Sequence, residues 1–194
     1  MILPNNGDTS DPLTVESIDN HVYFYSDVNS DRGLALMKQI REMDGRLRNE
    51  RISRSLPEEF PLTPIWLHIQ SWGGDLFAGL AISDHLKNIS SPIYSIVEGV
   101  CASAGTLISM ACDMRYIFPS AFILIHPPAG GVWGTYEKFK DEMKLQEMAL
   151  EWLVNFYVEH SNLSAAKIKK FLERDSWFSS KECLEYGFVD GILS

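Results

Sequence analysis

The chain has 194 residues, of which 45% are apolar and 22% are charged, and its formal net charge is −9 at pH 7. This length predicts one domain, and the apolar fraction is large enough for a core, which excludes disorder over most of the chain. The excess of acidic side chains argues against binding to nucleic acid or to an anionic membrane surface. No apolar run reaches the roughly 20 residues that span a bilayer.

The beginning of the chain is polar and rich in Asn, Gly, Asp and Pro. We predict a flexible arm over residues 1–18, followed by a single domain over 19–194. The first residues lack the basic and apolar segments of a secretory signal. The three cysteines, Cys101, Cys112 and Cys183, lie in apolar segments. They predict buried free thiols and a reducing compartment, either the cytoplasm or an organelle stroma or matrix.

Beyond the arm, the hydrophobic spacing changes repeatedly between patterns typical of strands and of helices. In chain order, we predict a strand at 21–28, a helix at 33–47, an exposed loop at 48–63, a strand at 65–69, a helix at 76–86, a strand at 92–97, a helix at 106–112, strands at 115–118 and 122–125, a helix at about 135–159, a short helix from Ser164 and a capped last helix ending at Gly187.

This order predicts successive βα units and a mainly parallel sheet, so the fold class is α/β. Ligand sites in such sheets lie at the carboxyl ends of the strands. The helix at about 135–159 has no internal Gly or Pro. At 1.5 Å per residue it is nearly 40 Å long, which exceeds what a domain of this size easily covers. We therefore predict that part of it packs on another subunit.

Ser103 is the most informative candidate for chemistry. It lies between alanines where a strand passes into a helix. Small neighbours allow a sharp turn that exposes the hydroxyl, and the helix N-terminus places N–H groups beside it, as a tetrahedral oxyanion requires. Tight packing of the helix on the sheet is the alternative explanation for these small residues.

A serine hydroxyl needs a base to become a good nucleophile. The candidate bases are the five histidines of the chain. His126 is favoured because it ends an apolar strand and is followed by two prolines, whereas the others lie within or at the start of predicted elements. The acid that would orient the base is not decided by the pattern. The candidates are Asp113, Asp175 and Asp190.

The segment Ser71-Trp72-Gly73-Gly74-Asp75 predicts a tight turn after a strand. Its backbone is a candidate donor of a second N–H group to an oxyanion, because glycine allows close approach of the main chain. The chain has no phosphate-binding glycine motif and no metal-ligand spacing, so neither a nucleotide site nor a metal site is predicted.

Four segments, HIQSWGGDLFAGLAISDHL, EGVCASAGTLIS, FPSAFILIHPPAGG and RDSWFSSKECLEYGFVDGIL, together resemble the ClpP family of serine peptidases, the proteolytic subunits of Clp proteases. The resemblance implies a catalytic triad of Ser103, His126 and Asp175. It implies an oxyanion hole formed by the N–H groups of Gly74 and Ala104. It further implies that the segment around Gly130 and Gly131 binds the peptide substrate as an added strand.

The same resemblance implies a crotonase-like βα spiral with a long protruding handle helix at about 135–159. It implies a homo-tetradecamer of two heptameric rings with the active sites inside. The substrates would be unfolded polypeptides, supplied by an AAA+ unfoldase that binds the ATP, so this chain needs no cofactor. Two alternatives stay open: a catalytically silent ring subunit of a mixed Clp-type assembly, and a crotonase-fold enzyme acting on acyl-CoA thioesters.

Overall fold

The structure is a computed structural model, and it describes residues 15–57 and 60–193. Within these ranges, strands and helices alternate along most of the chain. They are β1 (Val15–Ile18), β2 (His21–Tyr25), α1 (Ser30–Ser53), β3 (Ile65–Ser71), α2 (Leu76–Leu86), β4 (Ile93–Ala102), α3 (Ala104–Met110), β5 (Met114–Ile117), β6 (Phe122–Ile125), α4 (Tyr136–Glu159), α5 (Ala165–Phe171), β7 (Ser176–Ser179), α6 (Ser180–Tyr186) and β8 (Gly191–Ile192).

The strands form one sheet in the order β1-β2-β3-β4-β5-β8, and β6 pairs with both β4 and β7. The pairs β1–β2 and β6–β7 are antiparallel, and the other pairs are parallel. The predicted α/β class with a mainly parallel sheet is therefore confirmed. The helices supply the crossovers that parallel strands require.

Strand β4 has two different neighbours along its length. Its first part, Tyr94–Val97, pairs with β5, and its last part, Val100–Ala102, pairs with β6. Between the two parts lies Gly99, whose φ of 62° is in the left-handed region that glycine adopts at little cost. This change of partner separates β5 from β6 and places the ends of β4 and β6 side by side.

The core lies between the sheet and helices α1 to α3, and it continues to the end of α4 and to α5 and α6. Side chains alternate along β2, where Val22 and Phe24 are buried while His21 and Tyr23 are only half-buried. The buried strand residues pack with apolar residues of the helices, such as Ile40 of α1 and Leu107 of α3. Period-two alternation therefore directs one face of the sheet to the core.

Helix α4 is mostly exposed over its first half. Its buried residues are confined to the last two turns and are Leu153, Val154, Phe156 and Tyr157. Large apolar side chains remain exposed earlier in the helix, including Tyr136 at 72% and Met143 at 64%. At 1.5 Å per residue, its 24 residues span about 36 Å, close to the predicted length.

Two sequence predictions about the first third of the chain need correction. The flexible arm predicted over 1–18 is wrong for Val15–Ile18, because these residues pair with β2 and bury Val15, whereas residues 1–14 lie outside the described residues. The exposed loop predicted at 48–63 is wrong for its first part, because α1 continues to Ser53. Arg and Glu are good helix formers, so a charged run can extend a helix as easily as end it.

All three cysteines are free and buried, as predicted. Burial raises the pKa of each thiol above its usual value, to about 12 for Cys112 and Cys183, so the thiols stay protonated. In the part of the chain that the structure describes, no helix combines the length and hydrophobicity that a membrane span requires.

Candidate active site

Ser103 occupies the turn between β4 and α3 in a strained conformation. Its φ is 52° and its ψ is −126°, a region that non-glycine residues rarely occupy. Such strain is most often found at functional sites, where the surrounding structure maintains it. The Ser103 N–H donates to the carbonyl of Leu124 on β6 at 2.9 Å, which holds the turn against the neighbouring strand.

The sheet brings His126 to Ser103. Because β4 and β6 run parallel and pair Ala102 with Leu124, their carboxyl ends lie at the same edge of the sheet. His126 directly follows β6, and its Nε2 lies 2.7 Å from the Oγ of Ser103, within hydrogen-bond distance. The predicted neighbours on the two strand ends therefore form a serine–histidine pair.

The strand register places the backbone of Asp175 near His126, but the Asp175 side chain is not bonded to the serine–histidine pair. Strand β7 runs antiparallel to β6 and pairs Ser176 with Ile125, so the next step of that register sets Asp175 opposite His126. The side chain of Asp175 is nevertheless exposed. Within residues 15–57 and 60–193, no hydrogen bond or ion pair joins it to His126. The third contact of the expected triad is therefore missing from this conformation.

The other two acids considered for this role serve elsewhere. Asp113 accepts the N–H of Ile93 at 2.7 Å, at the start of β4. Asp190 forms an ion pair with Arg115, with 2.7 Å between the carboxylate and the guanidinium. Both contacts tie neighbouring parts of the sheet together, so neither carboxylate is available to orient His126.

The turn after β3 packs directly against Ser103. Ser71 pairs with Cys101 across β3 and β4, and its Oγ accepts the N–H of Gly73 at 3.1 Å. A Cβ on Gly73 would lie 2.6 Å from the Cβ of Ser103, which real structures do not tolerate. This position therefore requires glycine for the close approach of the two turns.

Near Ser103, the backbone N–H groups of Gly74 and Ala104 have no acceptor among the described residues. Gly74 forms a parallel bridge with Val28, in which Val28 bonds to the residues on either side of Gly74, and the Gly74 N–H is left without an acceptor in the described chain. The N–H of Ala104 is the first of helix α3 and has no intrahelical partner. Both residues line the cavity that contains Ser103, and their N–H groups are suited to stabilise an oxyanion.

The cavity has a volume of about 460 Å³ and lies between Ser103, His126, the loop after His126 and helix α4. Gly130 and Gly131 line it. Among the described residues, no backbone hydrogen bond involves residues 127–134. This segment therefore offers free N–H and C=O groups along one wall of the cavity.

Two residues that the sequence did not indicate fix the Ser103 turn to α4. The Oγ1 of buried Thr106 donates to the carbonyl of Ser103 at 2.6 Å and lies 2.7 Å from the hydroxyl oxygen of Tyr157. Tyr157 is fully buried, and burial raises the pKa of its hydroxyl far above the usual value. The apolar spacing of α4 predicts burial of Tyr157 but carries no sign of this contact.

The remaining histidines lie away from Ser103. His21 and His68 approach each other at 2.8 Å on the far face of the sheet, and His68 also bonds to Glu98 at 2.6 Å. Burial, and then the proximity of His21, lowers the pKa of His68 to about 4. His85 accepts from Arg41 at 2.9 Å, and His160 lies 2.8 Å from the carbonyl of Phe156. Preference for His126 among the five candidates thus agrees with the geometry.

A serine hydroxyl bonded to an imidazole at the carboxyl edge of a parallel sheet, with unpaired N–H groups alongside, is typical of serine hydrolases. The chain order of Ser103 before His126 before Asp175 differs from the α/β-hydrolase order, in which the acid precedes the histidine. The fold and the site together define a serine hydrolase of another architecture.

Comparison with known proteins identifies that architecture. The model of the Clp protease family matches residues 17–194. The proteolytic subunit of the ATP-dependent Clp protease from Streptococcus sanguinis is 41% identical over 134 residues, 66% of this chain and 68% of the relative. Subunit 1 from Chlamydia muridarum is 36% identical over 137 residues, 69% and 71% of the two chains. The structure of a ClpP1 point mutant from Listeria monocytogenes superposes with a TM-score of 0.73 at 27% identity and covers 88% of each chain.

The chain belongs to the Clp protease family, and the resemblance noted in its sequence is confirmed. The ClpP-type fold is likewise confirmed by the superposition. Membership of this family places the protein among the serine-type peptidases, which agrees with the hydrogen-bonded Ser103 and His126 at the carboxyl edge of its sheet.

Proposed function

We propose that this protein is an endopeptidase that cleaves unfolded polypeptides with Ser103 as nucleophile and His126 as base. The observation that carries the proposal is the 2.7 Å contact between His126 Nε2 and Ser103 Oγ inside a cavity lined by unpaired backbone N–H groups. A histidine at this distance can take the hydroxyl proton as the oxygen attacks a carbonyl.

The mechanism has two halves. In the first, the Oγ of Ser103 forms a bond to the scissile carbonyl carbon while its proton moves to His126, and the N–H groups of Gly74 and Ala104 bind the resulting oxyanion. His126 then gives the proton to the leaving amine, the C–N bond breaks and an acyl-enzyme remains. In the second half, water attacks the ester with His126 again as base, which releases the acid and restores Ser103.

Asp175 is the proposed partner of the second nitrogen of His126. In an antiparallel pair, directly opposite residues have Cα atoms about 4.5–5.5 Å apart. Extended by one step, the β6–β7 register supports this proposal, because a change in the side-chain rotamer of Asp175 would then bring its carboxylate toward His126. The His126 Nδ1 has no hydrogen-bond partner among the described residues, and this nitrogen is the one that an orienting carboxylate would engage.

The substrate main chain would lie along residues 127–134. Free N–H and C=O groups in this segment can pair with an extended peptide, as in other cases of strand addition. Gly130 and Gly131 keep side chains off this edge, so a peptide can approach it closely. Strand addition recognises backbone, which suits an enzyme whose substrates are unfolded polypeptides of many sequences.

We further propose a homo-tetradecamer of two heptameric rings that encloses the active sites and receives substrates from an AAA+ unfoldase. The exposed apolar side chains of α4 support packing between subunits, because a monomer seldom leaves such a surface uncovered. The relatives carry the name of an ATP-dependent protease. In this arrangement the unfoldase binds the ATP, and this chain needs no cofactor. The buried free thiols are compatible with the cytoplasm or an equivalent reducing compartment.

Light scattering of the purified protein tests the assembly. We expect a particle of about fourteen times the 22.0-kDa chain mass. Replacing the exposed apolar residues Tyr136 and Met143 with Glu should shift the protein toward smaller species, because the charges would be buried at the contact between subunits. A stable monomer of unchanged mass in both proteins would contradict the assembly.

Labelling by a fluorophosphonate probe tests the nucleophile directly. We expect stoichiometric phosphonylation of the protein, with mass spectrometry locating the adduct on Ser103, because only a serine activated by a neighbouring base reacts readily. The exposed Ser17, whose hydroxyl bonds to Gln39, serves as an internal control and should stay unlabelled. Absence of a Ser103 adduct in the assembled particle would favour a catalytically silent ring subunit.

A further inference from the structure

Two polar side chains of α4 line the cavity of Ser103, although neither takes part in the proposed chemistry. Glu142 and Gln146 are four residues apart, so they lie on the same face of the helix. Both belong to the half of α4 that has no buried residue. Their presence in the cavity means that a substrate near Ser103 meets polar groups as well as apolar ones.

Each of these two side chains has one oxygen that accepts no hydrogen bond from the described residues. The Nε2 of Gln146 donates to Oε1 of Glu142 at 2.8 Å, which fixes the orientation of the amide. The Oε1 of Gln146 is buried and has no hydrogen-bond partner in the described chain. Glu142 forms no ion pair with any residue in the described ranges. A buried acceptor without a donor is costly, which is a reason to expect a ligand that supplies one.

The charge of the cavity is negative. Glu142 and Asp75 line it, whereas none of the lining residues in the described chain is Lys or Arg. Asp75 already accepts the N–H of Ala78 at 2.6 Å as the cap of α2. Glu142 is therefore the carboxylate that remains available to a cationic group entering the cavity.

The acceptors also lie next to the proposed path of the substrate. A Cβ on Gly130 would lie 2.6 Å from Nε2 of Gln146 and 3.1 Å from Oε1 of Glu142. The loop and the two side chains are thus in direct contact. A peptide strand added along residues 127–134 would direct alternate side chains toward α4, because side chains of a strand alternate between its faces.

We infer that Glu142 and Gln146 form a subsite that selects a Lys or Arg side chain close to the scissile bond. The inference rests on the proposed peptidase function and adds a substrate preference to it. A cationic side chain supplies several donors at once, so it can pair with the Glu142 carboxylate and can reach the Gln146 oxygen when that amide turns toward the cavity. Among the described residues that line the cavity none is Lys or Arg, so the substrate cation competes only with His126 when that imidazole carries a proton.

The assembled wild-type protein first digests a mixed peptide library. Mass spectrometry of the products then identifies the preferred residue at each position around the cleaved bond. Matched fluorogenic peptides then carry Lys, norleucine or Glu at the position found. We expect kcat/KM for the Lys peptide to exceed that for the norleucine peptide by about tenfold, as one charge-assisted contact allows. The Glu peptide should be the poorest substrate.

The ratio of kcat/KM for the Lys and norleucine peptides then separates the subsite from general effects on activity. Glu142→Gln and Gln146→Met should each reduce this ratio toward one, whereas the control Glu147→Gln, on the exposed face of α4, should leave it at the wild-type value. A wild-type ratio of one or less, or a ratio insensitive to both substitutions, overturns the subsite. If Ser103 is still labelled by the fluorophosphonate in that case, the proposed function stands although the subsite fails; failure of the labelling would count against the function itself.

Discussion

Replacing Ser103 with alanine is expected to lower peptide hydrolysis by about five orders of magnitude or more, because the nucleophile and its base act as one unit. Among the described residues, the Ser103 side chain bonds only to His126, so the substitution removes little that the fold requires. Steady-state assays with a fluorogenic peptide measure the loss. Light scattering on the same samples should show an unchanged particle mass.

Two further variants make this result specific. His126→Ala and the Ser103→Ala/His126→Ala double variant should fall to nearly the same residual rate as Ser103→Ala, since removal of either partner disables the pair. Ser17→Ala should retain full activity. Turnover that survives Ser103→Ala would favour the alternative of a crotonase-fold thioester enzyme, which uses backbone N–H groups and acidic side chains without a serine nucleophile.

Replacing Gly74 with alanine is expected to reduce both stability and activity. The new Cβ would collide with the carbonyl oxygen of Val28, and the φ of 142° is itself unfavourable for alanine. The bridge between Gly74 and Val28 would have to open, at a cost of about 2–4 kcal/mol in the free energy of unfolding. Because its N–H would move away from Ser103, kcat should also fall by a factor on the order of 10² to 10³.

Gly45 provides the matched control for the Gly74 substitution. It lies inside α1, and apart from the backbone of its own helix and its chain neighbours a Cβ there would meet no atom within 4 Å among the described residues. Gly45→Ala should therefore raise the free energy of unfolding by about 0.5–1 kcal/mol, because alanine loses less backbone entropy in a helix. Thermal unfolding and urea titration compare the two variants. Equal stability of Gly74→Ala and wild type would contradict the close packing of this turn.

The local sequence pattern predicted an element correctly where that element depends on few contacts with the rest of the chain. The helix predicted at 76–86 coincides with α2, and the predicted capping box is present before α6, where Ser179 and Glu182 bond reciprocally. Helix ends with side-chain caps carry their signal in adjacent residues. By contrast, the strand predicted at 92–97 extends through Ala102, because its last residues pair with β6, a partner that no local pattern reveals.

The residues of the candidate site likewise divide into those that the sequence predicts and those that it does not. Ser103 and His126 could be chosen from their positions at strand ends, since parallel strands end at a common edge. The pattern leaves Asp175 as one of three candidate acids, and only the family resemblance selects it. Its contact with His126 stays a prediction because the side chain is exposed here. The contact of Thr106 with Tyr157 joins residues 51 positions apart, so no local spacing in the sequence predicts it.

The sequence alone determined the α/β class, the burial of the thiols and the two turns that carry Ser103 and the Gly73–Gly74 pair. These features depend on hydrophobic spacing and on residues that are adjacent in the chain. Only the tertiary structure decided which strand β4 pairs with at each end, how Thr106 and Tyr157 fix the Ser103 turn and which polar side chains of α4 line the cavity. These features depend on register and on the packing of distant segments. The contacts that stabilise these arrangements exist only once the whole sheet has formed.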